Sequence, residues 1–266
     1  MSTYVFSDVH GHAATLRRVL DRIAPSEQDR FFCLGDMIDR GPEPIEVLRI
    51  VRDLPNACVL MGNHEDLMLA CLENLDDQIN AYNWAMNGGQ VTSEALAALD
   101  DDVADELVSW VASLPRWAVT QVEGQLYVLT HAGILSSAVP ARESWDEPSL
   151  RALLAEQAPD DLLWIREEFW GAPTGLVNEK GEGPIVIAGH TPTPYLDRMA
   201  DVVDRPSRDE NGLAQMVRVG ACESTGGVAD RWDIDCGAAG GAGFGQVMVL
   251  RLDDQQEFCE PILEGE

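Results

Sequence analysis

Five short loops of this 266-residue chain carry side chains that could do chemistry. They read Asp8-Val9-His10-Gly11, Gly35-Asp36-Met37-Ile38-Asp39-Arg40-Gly41, Gly62-Asn63-His64-Glu65, Thr130-His131-Ala132-Gly133 and Ala188-Gly189-His190-Thr191. Each sets a carboxylate, amide or imidazole beside glycine, where backbone can approach closely. A mixed set of Asp, His and Asn donors suits borderline dications such as Mn²⁺, Fe²⁺ or Zn²⁺ better than Ca²⁺. One such loop alone is more often a structural turn. Five of one kind around a single crevice would be costly to bury unless metal neutralised them.

For the loops to converge, the elements between them must bring them to one end of a sheet. Tyr4-Val5-Phe6, Phe31 to Leu34 and Ala57 to Met61 predict three short strands. Leu16, Val19, Leu20 and Ile23 predict one intervening helix, and Ile45, Leu48 and Val51, after Pro42 and Pro44, a second. This β-α-β-α-β order implies parallel pairing, with the crevice at the carboxyl ends of the strands. Leucine and valine spacing predicts a helical lobe over about 64–114. Glu123-Gly124 predicts a hairpin between strands at 118–122 and 126–130. A helix near 150–156 and a strand at 185–187 follow, and alternation at 232–235 and 246–250 predicts antiparallel strands. The polar stretch at about 197–230 reads as an inserted loop, and the whole as one domain, 1–266.

Asp-x-His-Gly, Gly-Asp-x-x-Asp-Arg-Gly, Gly-Asn-His-Glu, His-Ala-Gly and Gly-His-Thr, in that order, resemble the metallophosphoesterase fold. The middle two resemble its phosphoprotein-phosphatase branch, the serine/threonine phosphatases with bacterial and phage members. Asn83-Trp84, Asn87-Gly88-Gly89, Trp164-x-Arg166 and Ile234-Asp235-x-Gly237-Ala238 extend the likeness over most of the chain. Ser7 departs from the usual Gly before the first Asp, and the gap from His190 to Ile234 is longer than in compact members.

The resemblance implies an α/β fold, a β-sandwich of two mixed sheets flanked by helices with a βαβαβ metal-binding core. It implies one metal on Asp8, His10 and Asp36 and a second on Asp36, Asn63, His131 and His190, with Mn²⁺ expected and Fe or Zn as alternatives. Two close dications need a shared anion, the part Asp36 would take, and a hydroxide between them would attack phosphorus directly. His64 would be the general acid, held and kept protonated by Asp39. Arg40 and Arg166 would clamp the phosphate with forked hydrogen bonds. Glu65 reads as a helix cap and His12 as a rim residue.

Composition narrows the partners. Eighteen basic against 46 acidic side chains give a net charge of −28, and Lys180 is the one lysine. A surface this acidic repels nucleic acid, which disfavours a nuclease. No apolar run approaches the roughly 20 residues of a membrane span, and the start lacks signal-peptide features, so a cytoplasmic protein without membrane contact is expected. Cysteines 33, 58, 71, 222, 236 and 259 form no C-x-x-C pair and read as reduced thiols. No apolar surface stripe is evident, so a monomer is expected.

The expected activity is hydrolysis of phosphoserine and phosphothreonine, with phosphotyrosine in reach, on phosphoprotein or phosphopeptide substrates. The alternative is a symmetrical dinucleoside polyphosphate (diadenosine tetraphosphate) hydrolase, which shares fold and metals. That family resembles the chain less, since it tends to lack the Asp of Asp-Arg-Gly and has Asp where Glu65 stands. A non-catalytic scaffold on a decayed enzyme fold is disfavoured, because every expected ligand and the acid are present.

Overall fold

The structure, a computed structural model, describes residues 1–200 and 202–266. Strands β1 (Thr3–Phe6), β2 (Arg30–Cys33) and β3 (Ala57–Val59) are linked by helices α1 (Ala13–Ile23) and α2 (Pro44–Arg52). Four helices follow: α3 (Asn63–Glu73), α4 (Gln78–Met86), α5 (Gln90–Ala97) and α6 (Asp101–Ala112). The chain continues through β4 (Trp117–Val122), β5 (Gln125–Thr130), α7 (Glu147–Glu156), α8 (Pro159–Trp164) and α9 (Glu167–Trp170). It ends with β6 (Ile185–Ala188), β7 (Val217–Val219), β8 (Arg231–Asp233), β9 (Gln246–Arg251) and β10 (Gln256–Pro261).

These strands form two five-stranded mixed sheets, β10-β9-β1-β2-β3 and β4-β5-β6-β8-β7. The first three strands pair in parallel, as expected, with Val5 opposite Phe32 and Phe32 opposite Cys58. Strand alternation sorts the core into layers. Tyr4 and Phe6 pack outward beneath α1 and α2, while Val5 faces the second sheet. Between the sheets Val5, Phe32, Leu60 and Leu250 share one apolar layer with Leu129, Ile187 and Trp232. A third layer, with Val128, Leu150, Phe169 and Val186, lies under α7 to α9. The expected hairpin is present: Glu123 and Gly124 both take left-handed φ, the geometry that suits a two-residue turn between twisted strands.

Three features differ from the sequence reading. The strands at Trp232 and Met248 each have an antiparallel neighbour, β7 for β8 and β1 for β9, but they lie in different sheets, and β8 also runs parallel to β6. Alternation marks a strand and its buried face but not its partner. Part of the stretch expected as an inserted loop is strand, since β7 closes the second sheet's edge against β8. Strand β10 gave no signal because its sequence, Gln-Glu-Phe-Cys-Glu-Pro, is that of a polar edge strand ending in proline.

The helical lobe also carries an apolar stripe that the sequence reading did not find. Leu75, Ile79, Tyr82 and Met86 are exposed along α4 and its approach, at helical spacing. Among the described residues, no helix is long and apolar enough to cross a membrane.

Candidate metal centre

Asp8, Asp36, Asn63, His131, His190 and Asp235 all lie just beyond the carboxyl ends of strands, following β1, β2, β3, β5, β6 and β8 respectively. The tight turns that aim them inward use strained backbone. Of ten non-glycine residues with positive φ among the described residues, six are Asp8, His10, Asp36, Asp39, Arg40 and His190, at 45° to 68°. Such left-handed conformations are rare for side-chain-bearing residues and persist where surrounding contacts over-determine them. Glu65 supplies some of those contacts. It caps α3 by accepting from the Gly62 amide at 2.9 Å, as expected, and also accepts from the Asp36 and Met37 amides at 2.8 Å each.

Two groups of buried donors share Asp36. His10, Asp36 and His64 offer ligand atoms within 4.8 Å of one another, as do Asp36, His131 and His190. In the first, His10 Nδ1 donates to the Ile38 carbonyl, which leaves Nε2 as a lone pair 3.6 Å from Asp36 Oδ2. Asp8 Oδ1 is 4.0 Å from the same Nε2, buried, and without a hydrogen-bond partner. In the second, His131 Nδ1 donates to the Leu34 carbonyl, so its Nε2 is also a lone pair. That Nε2 faces Asn63 Oδ1 at 2.8 Å and His190 Nδ1 at 3.2 Å, with Asn63 Oδ1 and His190 Nδ1 2.9 Å apart.

Asn63 Oδ1 and His131 Nε2, 2.8 Å apart, are both acceptors and repel unless a cation or a proton sits between them. Protonation is a poor substitute: burial lowers the pKa of His131, and pushes those of His10 and His190 well below the ordinary value. Asp36 is pushed well up by burial and then by Asp8. The donor chemistry and the orphaned Asp8 oxygen therefore fit a pair of divalent ions bridged by Asp36.

His64, at the edge of the first group, has its Nε2 3.9 Å from Asp36 Oδ2. Its Nδ1–H donates to Asp39 Oδ2 at 2.7 Å, and Arg40 Nη2 donates to Nε2 at 3.0 Å. Asp39 is fully buried and accepts from Trp84 Nε1 at 3.0 Å and Thr92 Oγ1 at 2.6 Å. Burial lifts its carboxyl to about 6 against those two donors. The expectation that Asp39 raises the His64 pKa does not hold: burial, then the Arg40 charge, drive that pKa well below its ordinary value.

The centre opens into a crevice of about 420 Å³ lined by Arg40, Asn87, Trp164, Arg166, Tyr195 and Phe244 around the His, Asp and Asn donors. All the expected site residues gather here or directly beneath, Asp39 being held under His64. His12 is set apart at the start of α1 and does not line the crevice. Asp235 does line it, while Thr92 and Trp84 act from beneath, and the sequence reading gave none of these three a role. Asp235 and Trp84 stood only in the family likeness, and Thr92 carries no local signal.

The calcineurin-like phosphoesterase family model matches residues 1–218. The chain belongs to that family. Among curated relatives, a symmetrical bis(5'-nucleosyl)-tetraphosphatase of Erwinia tasmaniensis is 36% identical over 138 residues, covering 50% of this chain and 45% of the relative. One from Pectobacterium carotovorum is 34% identical over 164 residues, covering 59% and 49%. The chain thus spans about half the length of the curated relatives it matches. A crystal structure of a candidate diadenosine tetraphosphatase superposes with a TM-score of 0.58 at 15% identity, over 99% of this chain and 94% of that one. It shows the shared two-sheet fold.

These relatives overturn the serine/threonine phosphatase activity expected from the sequence, and with it the phosphoprotein substrate. The physical reason is that the motifs serve metals and a phosphoryl group, which both activities have in common. The two positions that argued otherwise, Asp39 and Glu65, hold His64 and the Asp36 loop and touch nothing that distinguishes the substrates.

Proposed function

We propose that this calcineurin-like phosphoesterase hydrolyses dinucleoside tetraphosphates symmetrically, a diadenosine tetraphosphate giving two molecules of ADP. The observation that carries this reading is the set of curated relatives, which bear one name, symmetrical bis(5'-nucleosyl)-tetraphosphatase. A crevice holding two arginines and three aromatic side chains supports it.

In this reading Asp8, His10 and Asp36 hold one divalent ion, and Asp36, Asn63, His131 and His190 hold the other. When bound, such a pair polarises the phosphoryl group and supplies a nucleophile at neutral pH. We propose manganese, which the mixed oxygen and imidazole donors suit. Arg40 and Arg166 bind non-bridging phosphate oxygens, their charge offsetting the acidic background. Arg40 then leaves His64 Nε2, which takes a proton from solvent water and hands it to the bridging oxygen of the departing nucleoside diphosphate as its bond to phosphorus breaks. Asp39 fixes the ring's orientation through Nδ1. A nucleoside diphosphate leaves as a stabilised phosphate, so it asks little of an acid, and a ring whose pKa is pushed down suffices. The six cysteines are free, consistent with the reducing cytoplasm in which we place the protein.

The test is chromatography of products from diadenosine tetraphosphate after chelation and Mn²⁺ add-back. Metal-restored formation of ADP alone is expected. An intact dinucleotide, or AMP with ATP, would overturn the reading.

A further inference from the structure

The crevice is chemically lopsided. Arg40 attaches to one side of the centre through His64, and the neighbouring lining residue there, Asn87, offers a polar amide. On the other side Trp164 stands edge-on to His190, with ring centroids 5.9 Å apart, and remains 38% exposed. Tyr195, in the turn that follows His190, lines the same crevice and is 52% exposed. Arg166 lines the same crevice, its Nη1 3.4 Å from Thr191 Oγ1. Phe244 also lines the crevice, as does the Asp235 carboxylate, but Arg208 already covers one face of the Phe244 ring at 4.7 Å.

Aromatic rings open to water beside a cationic phosphate clamp offer faces on which a planar group can stack. A nucleobase joined to a phosphate chain has that shape: its phosphates reach Arg166 while its ring reaches the aromatic side chains. We propose that Trp164 and Tyr195 form a nucleobase-binding subsite on the His190 side, and that the enzyme grips one base of its substrate there while the other base is held far more weakly. This deepens the tetraphosphatase reading and rests on it for the substrate, but the subsite can be tested without turnover.

The experiment is calorimetric titration of the Mn²⁺-loaded protein with ADP and with inorganic pyrophosphate. ADP is expected to bind the wild type at least about tenfold tighter, the difference being the stacked base. Trp164→Ala and Tyr195→Ala should each remove most of that difference and leave pyrophosphate affinity unchanged, while Tyr195→Phe retains it. Equal affinities in the wild type, or parallel losses for both ligands in the variants, would overturn the subsite. One-sided grip is checked with adenosine tetraphosphate, whose KM should lie within about threefold of that for the dinucleotide; a KM raised tenfold or more would show that both bases are held. A wild type that discriminates ADP from pyrophosphate yet leaves diadenosine tetraphosphate intact would keep the subsite and overturn only the substrate.

Discussion

Arg40 and Asp39, adjacent in sequence, grip the His64 ring from opposite edges, Nη2 lying 3.0 Å from Nε2 and Oδ2 lying 2.7 Å from Nδ1. Both residues take left-handed φ, 67° at Arg40 and 68° at Asp39, which lets neighbouring side chains reach two edges of one imidazole. The arrangement makes a neutral ring with its proton on Nδ1, ready to accept one at Nε2 once an anion draws the guanidinium away.

The depth of a His64→Asn defect should therefore depend on the leaving group. On diadenosine tetraphosphate we expect kcat to fall by about tenfold or less. On an alkyl phosphomonoester, whose alkoxide must be protonated, the fall should be about a hundredfold or more. Steady-state rates on the two substrates decide it, and equal losses would remove His64 from proton transfer.

Asp36 faces both donor groups, with Oδ2 toward His10 and Oδ1 3.5 Å from His131 Nε2. Asp36→Asn should weaken uptake of both ions, since an amide cannot bridge two dications as a carboxylate does. Elemental analysis after dialysis reads this directly. Unchanged metal content in the variant would argue against a bridged pair.

Glu65→Gln should destabilise the fold by about 2–4 kcal/mol, because one buried carboxylate accepts from three amides and a carboxamide offers a single oxygen. Urea unfolding gives the number. We expect metal affinity to drop with it, as the Asp36 loop loses its tether.

Far from the centre, the Arg18 guanidinium holds the Glu266 carboxyl down at about 2, against desolvation and with help from the Thr15 hydroxyl at 2.6 Å. A carboxyl depressed in the folded state adds stability that is fully present above its unfolded pKa of about 4.5 and is lost as pH falls toward 2. Arg18→Ala should cost on the order of 0.5–1 kcal/mol near neutral pH, given the pair's partial exposure. The gap between wild type and variant should close by about pH 2 in denaturant titrations.

What could be read from the sequence follows from how local each signal is. Asp8, His10, Asp36, Asn63, His131 and His190 stand beside or near glycines at strand ends, and six residues of context suffice to mark them. Thr92 reaches Asp39 across 53 positions and Trp84 across 45, so nothing near either residue announces the contact. Alternation at Trp232 revealed a buried strand, yet its parallel partner in the same sheet, β6, is distant in sequence and leaves no local mark on it. The substrate was least legible of all. The loops that spell the family read a phosphoryl group, while the aromatic side chains at 164 and 195 lie outside the motif loops, one beside the arginine of Trp164-x-Arg166 and one in an irregular turn.

The left-handed residues around the centre place it at odds with selection for robustness. Glycine at Asp39, Arg40 or His190 would relieve local strain of roughly 1–3 kcal/mol each. A laboratory campaign rewarding heat resistance alone would therefore drift toward replacements that delete the chemistry, and survivors of such a screen would map the crevice by what they had lost.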